Sequence, residues 1–162
     1  MKKIKINDLA EILITKAINE HLTVLDLGCC GLNEIPERVF EMDWLEELNL
    51  GNYIWDQENL KWEKSKNKGS YNKLSLIPNK INQLKRLKVL RLSGYNESYK
   101  NWDIESISTG MLPTSLLYLD LSYNIITELK GFVNLVNLEF IDLSSNRINE
   151  IVGSENLFGL KR

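Results

Sequence analysis

Short bursts in which apolar residues alternate with polar ones run along most of this chain. From Leu22 the segment LTVLDL sets leucines at 22, 25 and 27 with Asp26 between the last two, the period-two pattern of a short strand with one buried face. The burst recurs as LEELNL from Leu45, LKVLRL from Leu87, LLYLDL from Leu116 and LEFIDL from Leu138. Ahead of the first burst the spacing is helical instead. Leu9, Ile12, Leu13 and Ala17 fall on one face, and Asp8 with Glu11 has the form of a capping box, so an amphipathic helix is predicted from about residue 8 to 20. Residues 1–21 are thus expected to be a cap helix, its apolar face closing the first layer of a stack.

Each burst is followed by a small residue and usually an Asn: Asn124 and Asn146 in the last two copies, with Cys30 in the same place in the first. The intervals between first leucines are 23, 42, 29, 22 and 22, the last ending at Leu160. The longest resolves when Asn72-Lys73-Leu74-Ser75-Leu76-Ile77-Pro78 is set against Cys30-Gly31-Leu32-Asn33-Glu34-Ile35-Pro36. Residues 53–71 then form an insertion of 19, and Asn72 is the turn residue. The 29-residue interval implies a second insertion at about 95–100 with its turn at Asn101, although Asp103 then falls where Leu32 and Leu74 sit; Asn96 is the alternative. A buried Asn at each bend has the donors and acceptors to satisfy backbone groups that strand pairing does not reach. The return segments from Pro36 to Met42 and Pro78 to Leu84 carry Val39, Phe40, Ile81 and Leu84 at helical spacing and are predicted as short helical turns.

The shared form L-x-x-L-x-L, small residue, Asn resembles the leucine-rich repeat family, in its 22–23-residue, SDS22-like kind, from Leu22 to Leu160. That resemblance implies an α/β solenoid over residues 22–162. A parallel sheet would line the concave face and short helices or 3-10 turns the convex one, with repeats starting at 22, 45, 87, 116 and 138 and a sixth at 160. Leu157, Phe158 and Leu160 open this last copy, and Lys161-Arg162 give it no polar cap, so further repeats or domains, or another chain, are expected beyond it. The stretch LDLGCCGLNEIPERVFEMDWLEELNLGN, with its Trp- and Lys-bearing insertion before LSLIP, is similar to leucine-rich segments of bacterial multidomain proteins such as Roc-COR GTPases. If it is such a segment, the chain is a recognition or regulatory piece, and the GTPase motifs are not in it.

Composition narrows the chemistry. The 27 Leu and 18 Asn are accounted for by cores and bends. A net charge of −2 gives no basic excess for nucleic acid, and the single His21 leaves no imidazole set for a metal. Cys29 and Cys30 are adjacent and poorly placed to form a disulfide, which suits a reducing, cytoplasmic setting. Asp8, Glu11 and Lys16 interrupt the N-terminal apolar stretch, so neither a signal peptide nor a membrane span is expected. There is no glycine-rich phosphate loop, paired-cysteine motif or H-E-x-x-H. Asp120 and Asp142 are expected on an open face where nothing desolvates them, which leaves them unsuited to acid-base work. No cofactor, metal or catalytic residue is assigned, and the expected activity is non-catalytic binding of a protein partner.

The outward positions of the strands supply the candidate surface. Val24, Glu47, Val89, Tyr118 and Phe140 form one column, and Asp26, Asn49, Arg91, Asp120 and Asp142 the next; Gly28, Gly51, Ser93, Ser122 and Ser144 make a small third. Neighbouring Tyr118 and Phe140 are candidate anchors, and the aspartates favour a basic or mixed partner surface. Seven of the ten Trp and Tyr residues lie in or beside the insertions, with Tyr53, Trp55, Trp62 and Tyr71 at the first and Tyr95, Tyr99 and Trp102 at the second. They are expected to order the two loops over one rim as a satellite core, or to present a contact surface there; Trp55, Trp62, Tyr95, Tyr99 and Trp102 are the rim candidates. Lys61, Lys64, Lys66, Lys68 and Lys73 lie among Glu58 and Glu63 and read as a solvated loop. Self-assembly through the last repeat's edge and a recognition part of a larger bacterial enzyme are the rival readings.

Overall fold

The computed structural model describes residues 6–56, 58–95 and 102–153. The expectations for Asn96, Tyr99, Asn101, Leu157, Phe158 and Leu160 lie outside the described residues. One helix opens the chain, α1 (Ile6–Asn19), followed by β1 (Val24–Asp26), β2 (Glu47–Asn49), β3 (Tyr53–Asp56), β4 (Lys61–Lys64) and β5 (Val89–Arg91). Then come β6 (Ser106–Ser108), β7 (Tyr118–Asp120), β8 (Glu128–Lys130), β9 (Phe140–Asp142) and β10 (Glu150–Val152). Strands β1, β2, β5, β7 and β9 pair in parallel in that order, aligning Leu25, Leu48, Leu90, Leu119 and Ile141. The alternation predicted from the bursts is what buries the first four of these, while Leu27, Leu50, Leu92 and Leu121 continue the core beyond the strand ends.

Helix α1 packs on β1 through Ala10, Ile14 and Ala17, with Leu9, Leu13 and Ile18 flanking them. Ile12, expected on that face, is 56% exposed; it lies four 100° steps from neither Ala10 nor Ile14 and so points to the other side of the cylinder. The helix closes with Leu22 N–H donating to Ala17 O and His21 N–H to Ile18 O. His21 sits at φ 51, the left-handed residue of a Schellman ending where glycine is usual. Its ring stacks on Trp44 at 4.1 Å.

The outer side holds more than helical turns. Copies one and two have the expected 3-10 turns, Glu37–Glu41 and Asn79–Gln83, behind Pro36 and Pro78. Copies three to five add a second parallel sheet in the order β10-β8-β6. Ser108, Lys130 and Val152 stand where Pro36 and Pro78 stand in the first two copies. Proline has no N–H to give a ladder, which explains why the second sheet stops short of them.

The bends correct one register. Lys73 N–H donates to Leu32 O, Asp103 N–H to Leu74 O, Ile125 N–H to Ile104 O and Arg147 N–H to Ile126 O. Leu32, Leu74, Ile104, Ile126 and Ile148 are therefore equivalent, and Trp102 rather than Asn101 takes the turn place. The second insertion is one residue longer than expected. The indole replaces the amide as a buried donor: Trp102 Nε1 gives its hydrogen to Asn72 O at 2.9 Å. Asn72 uses its whole amide, donating to Leu27 O (2.8 Å) and Leu50 O (2.7 Å) and accepting from Cys30 N (3.0 Å) and Leu32 N (2.8 Å).

Candidate interaction face

The solvent side of the five-stranded sheet divides into a closed half and an open half. After Asn52 the chain leaves the stack as an antiparallel hairpin, β3 with β4, and not as an irregular loop. Its turn is tied by Asp56, whose carboxylate accepts from Glu58 N, Asn59 N and Asn59 Nδ2. These hydrogen bonds, Asn59's first, hold the Asp56 carboxyl below its ordinary value. The return strand then runs back over the first copy. Ser65 Oγ donates to Asp26 Oδ2 (2.8 Å), and Asn67 Nδ2 reaches Asp26 O and Gly28 O at 2.9 Å each. Asn49 Nδ2 donates to Asp26 Oδ1 at 2.7 Å.

That strap changes the status of two expected contact residues. Asn49 is buried, and Asp26 is half-buried with both oxygens used inside the chain. They anchor the insertion and are not offered to a partner. Val24, beside them, stays 54% exposed.

The open half carries a ladder of stacked groups. Glu47 Oε2 and Arg91 Nη1 are 3.4 Å apart. The Arg91 guanidinium lies 5.3 Å from the Tyr118 ring centre, and Tyr118 stacks on Phe140 at 4.7 Å with 10° between the planes. Register produces the Tyr118–Phe140 stack, direct partners across β7 and β9, whereas Arg91 reaches Glu47 and Tyr118 diagonally from two positions beyond their direct partner Val89. Burial, with Asp120 and Asp142 nearby, pushes the Tyr118 hydroxyl up to about 12, against the opposing pull of Arg91. The ring is a neutral contact surface at any physiological pH.

Asp120 departs from expectation. It is 1% exposed, not open, because its carboxylate folds onto the next turn: Oδ1 accepts from Ser122 N (2.9 Å) and Ser122 Oγ (2.7 Å). Desolvation pushes its carboxyl up to about 6; the Ser122 hydrogen bonds and Arg91 oppose that, and Asp142 adds to it. Asp142 remains half-buried, with Oδ1 taking Ser144 N at 2.8 Å. Neither carboxylate is within hydrogen-bonding reach of a histidine, and the one described His21 stacks on Trp44 at the other end of the chain.

Aromatic rings line the rim beside this half. Trp62 stacks on Tyr95 at 4.5 Å and meets Trp55 edge-on at 5.4 Å and Tyr123 at 5.7 Å. Tyr95 contacts Tyr123 at 4.8 Å and Tyr53 at 5.2 Å. Trp55 and Trp62 are paired across the hairpin, so both project from the same side of it. Trp102, a rim candidate, is buried in the stack and unavailable. Tyr123 was not singled out by the sequence reasoning. It sits at φ 55, as Cys29 and Ser145 do at φ 53 and 55 in their copies, and a left-handed bend turns its ring toward the rim. The corresponding residues Asn52 and Gly94 are not left-handed, and those are the two places where the chain leaves the stack. A sequence signal for Tyr123 existed: it holds the same position as Asn52 and Gly94.

Burial raises both thiols, Cys29 with Lys64 opposing and Cys30 up to about 12 with Asp26 adding to it, which leaves them poor nucleophiles. Among the described residues no group of three or more His, Cys, Asp or Glu is placed to hold a metal, and no helix is long and apolar enough to cross a membrane.

Residues 101–148 match the family model described as leucine rich repeat. Those residues carry leucine-rich repeats. The earlier leucine-rich copies pair in register with the matched ones in a single sheet. A solved leucine-rich repeat protein from Leptospira interrogans is 25% identical, aligned over 91% of this chain and 50% of its own, with a TM-score of 0.27. The chain thus spans half the length of that protein. No curated protein matches.

Proposed function

We propose that this leucine-rich repeat chain is a non-catalytic binding module that holds a protein partner on the open half of its sheet face, between the Tyr118–Phe140 stack and the aromatic rim. Leucine-rich repeat domains generally mediate protein-protein interaction. The observation that carries the reading is the Arg91–Tyr118–Phe140 ladder, which lies on the solvent side of β5, β7 and β9 while the strap occupies only the first copies. A row of preorganised rings on a rigid sheet costs little ordering entropy when a partner settles on it.

The test is a pull-down from the source cell with the wild-type chain and with Tyr118→Glu/Phe140→Glu, each shown to be folded by circular dichroism. Partners recovered by the wild type should be lost from the double variant. Equal recovery by both would remove this face from the hypothesis.

A further inference from the structure

Resting on that binding reading, we propose that the partner segment is proline-rich and extended, a polyproline II stretch that lodges its pyrrolidine rings against the aromatic rings of the open half and its carbonyls on their N–H and O–H edges.

The four tryptophans divide by where their N–H groups go. Trp44 Nε1 donates to Leu22 O at 3.0 Å and Trp102 Nε1 to Asn72 O at 2.9 Å, so both serve the stack. Trp55 Nε1 and Trp62 Nε1 reach no acceptor among the described residues. The tyrosines divide in the same way. The Tyr53 and Tyr71 hydroxyls join at 3.0 Å, whereas those of Tyr118 and Tyr123 have no hydrogen-bond partner among the described residues. None of these four unused polar atoms is sealed from solvent, and all four rings are half-buried. Burial keeps the Tyr118 hydroxyl protonated, so it stays a donor. The open half thus offers flat apolar area edged with donors that the fold itself does not use, and an indole N–H can only donate.

Backbone chemistry selects the occupant. Strands β5 and β7, which carry Arg91 and Tyr118, are paired on both sides, so they have no ladder to give an added strand. A helix turns nearly all its carbonyls inward to its own N–H groups. A polyproline II segment makes no internal hydrogen bonds and its prolines carry no N–H, so it presents acceptors in excess, the complement of a donor-edged ring surface. Ring geometry suits pyrrolidines as well. The Trp55 and Trp62 planes are 64° apart, and Tyr123 stands at 85° to Trp62 and 70° to Tyr95. Rings set at such steep angles leave wedge-shaped notches at their outer edges, which a small puckered ring fills. Because proline fixes φ in advance, such a segment loses little freedom on docking.

The probe is a phage-displayed library of random twelve-residue peptides panned on the full chain, followed by anisotropy titration of labelled winners. The expected winners are enriched in proline. Trp62→Phe and Tyr123→Phe each keep an aromatic ring and remove one donor, and each should weaken those winners about threefold or more. Replacing a winner's prolines with alanine should weaken its binding to the wild type by at least as much. Winners without proline enrichment, or proline-rich winners indifferent to both donor variants, overturn the proline reading. If such winners still lose affinity with Phe140→Ala, the binding face stands and only the proline reading falls. Winners indifferent to all three variants, or no winners at all, overturn both.

Discussion

Asn72→Ala tests whether the bends, rather than the strands alone, hold the repeats together. The side-chain amide makes four hydrogen bonds of 2.7 to 3.0 Å, to Leu27 O, Leu50 O, Cys30 N and Leu32 N, and the residue is buried. Truncation leaves four backbone groups from two copies unpaired, each worth roughly 1–3 kcal/mol when buried. The vacated amide leaves space for about one water, which can restore two or three of those bonds. The one or two groups still unpaired leave a net loss of about 1–6 kcal/mol, against the roughly 5–15 kcal/mol that holds a domain folded. Asn146 provides the internal comparison. It makes the equivalent bonds to Leu121 O, Leu143 O and Ile126 N, but it is half-buried, so water can replace the amide. Asn146→Ala should cost only about 1 kcal/mol. Urea titration followed by circular dichroism and by Trp44 and Trp102 fluorescence reads both. A loss under about 1 kcal/mol for Asn72→Ala with an unchanged denaturant slope, or equal losses at the two sites, would refute the reasoning.

Trp102→Phe keeps the ring but removes the indole N–H given to Asn72 O; a loss of about 1–2 kcal/mol in the same titration is expected, and no loss would show that the donor is dispensable. Burial pushes the Asp120 carboxyl up to about 6, well above the ordinary aspartate range, so the folded state keeps this proton to higher pH. Its contribution is most favourable below about pH 4 and is lost as pH rises through 6, on the order of 3 kcal/mol in all. Asp120→Asn should flatten that part of the stability profile between pH 4 and 7, and superimposable wild-type and variant slopes would contradict the burial argument. Trp62→Ala removes the stack on Tyr95 and the edges to Trp55 and Tyr123, so trypsin should cut faster after Lys61 and Lys64 while the global urea midpoint moves little; an unchanged cleavage rate would show that other contacts hold the hairpin.

The repeat was legible because its residues interlock across copies: each leucine has a counterpart above and below, and the five strands stand where the bursts put them. Pro36 and Pro78 were equally readable as turn markers, yet their absence from later copies held a second message, since without proline the same positions pair as β6, β8 and β10. Trp102 escaped because the pattern sought an amide, whereas the bend needs only a buried donor, which an indole supplies. The site was legible in part. Outward alternation puts Tyr118 and Phe140 in one column and Arg91 in the next, and the Arg91–Tyr118 contact crosses between the two, but facing outward is not the same as being open. Asp26 and Asn49 also alternate outward, but Asn49 bonds to Asp26, and Asp26 is taken by Ser65 at its carboxylate and Asn67 at its carbonyl, which return from about 40 residues further along the chain. No local period carries that information, since Asn67 bonds to backbone carbonyls that every copy possesses and Ser65 to an aspartate whose counterparts Asp120 and Asp142 recur in later copies. What distinguishes the two halves of the face is how the insertion reaches them: its polar residues Ser65 and Asn67 tie down the first copy, whereas at the fourth copy its Trp62 meets Tyr123 through ring contact and Tyr118 and Phe140 stack on each other.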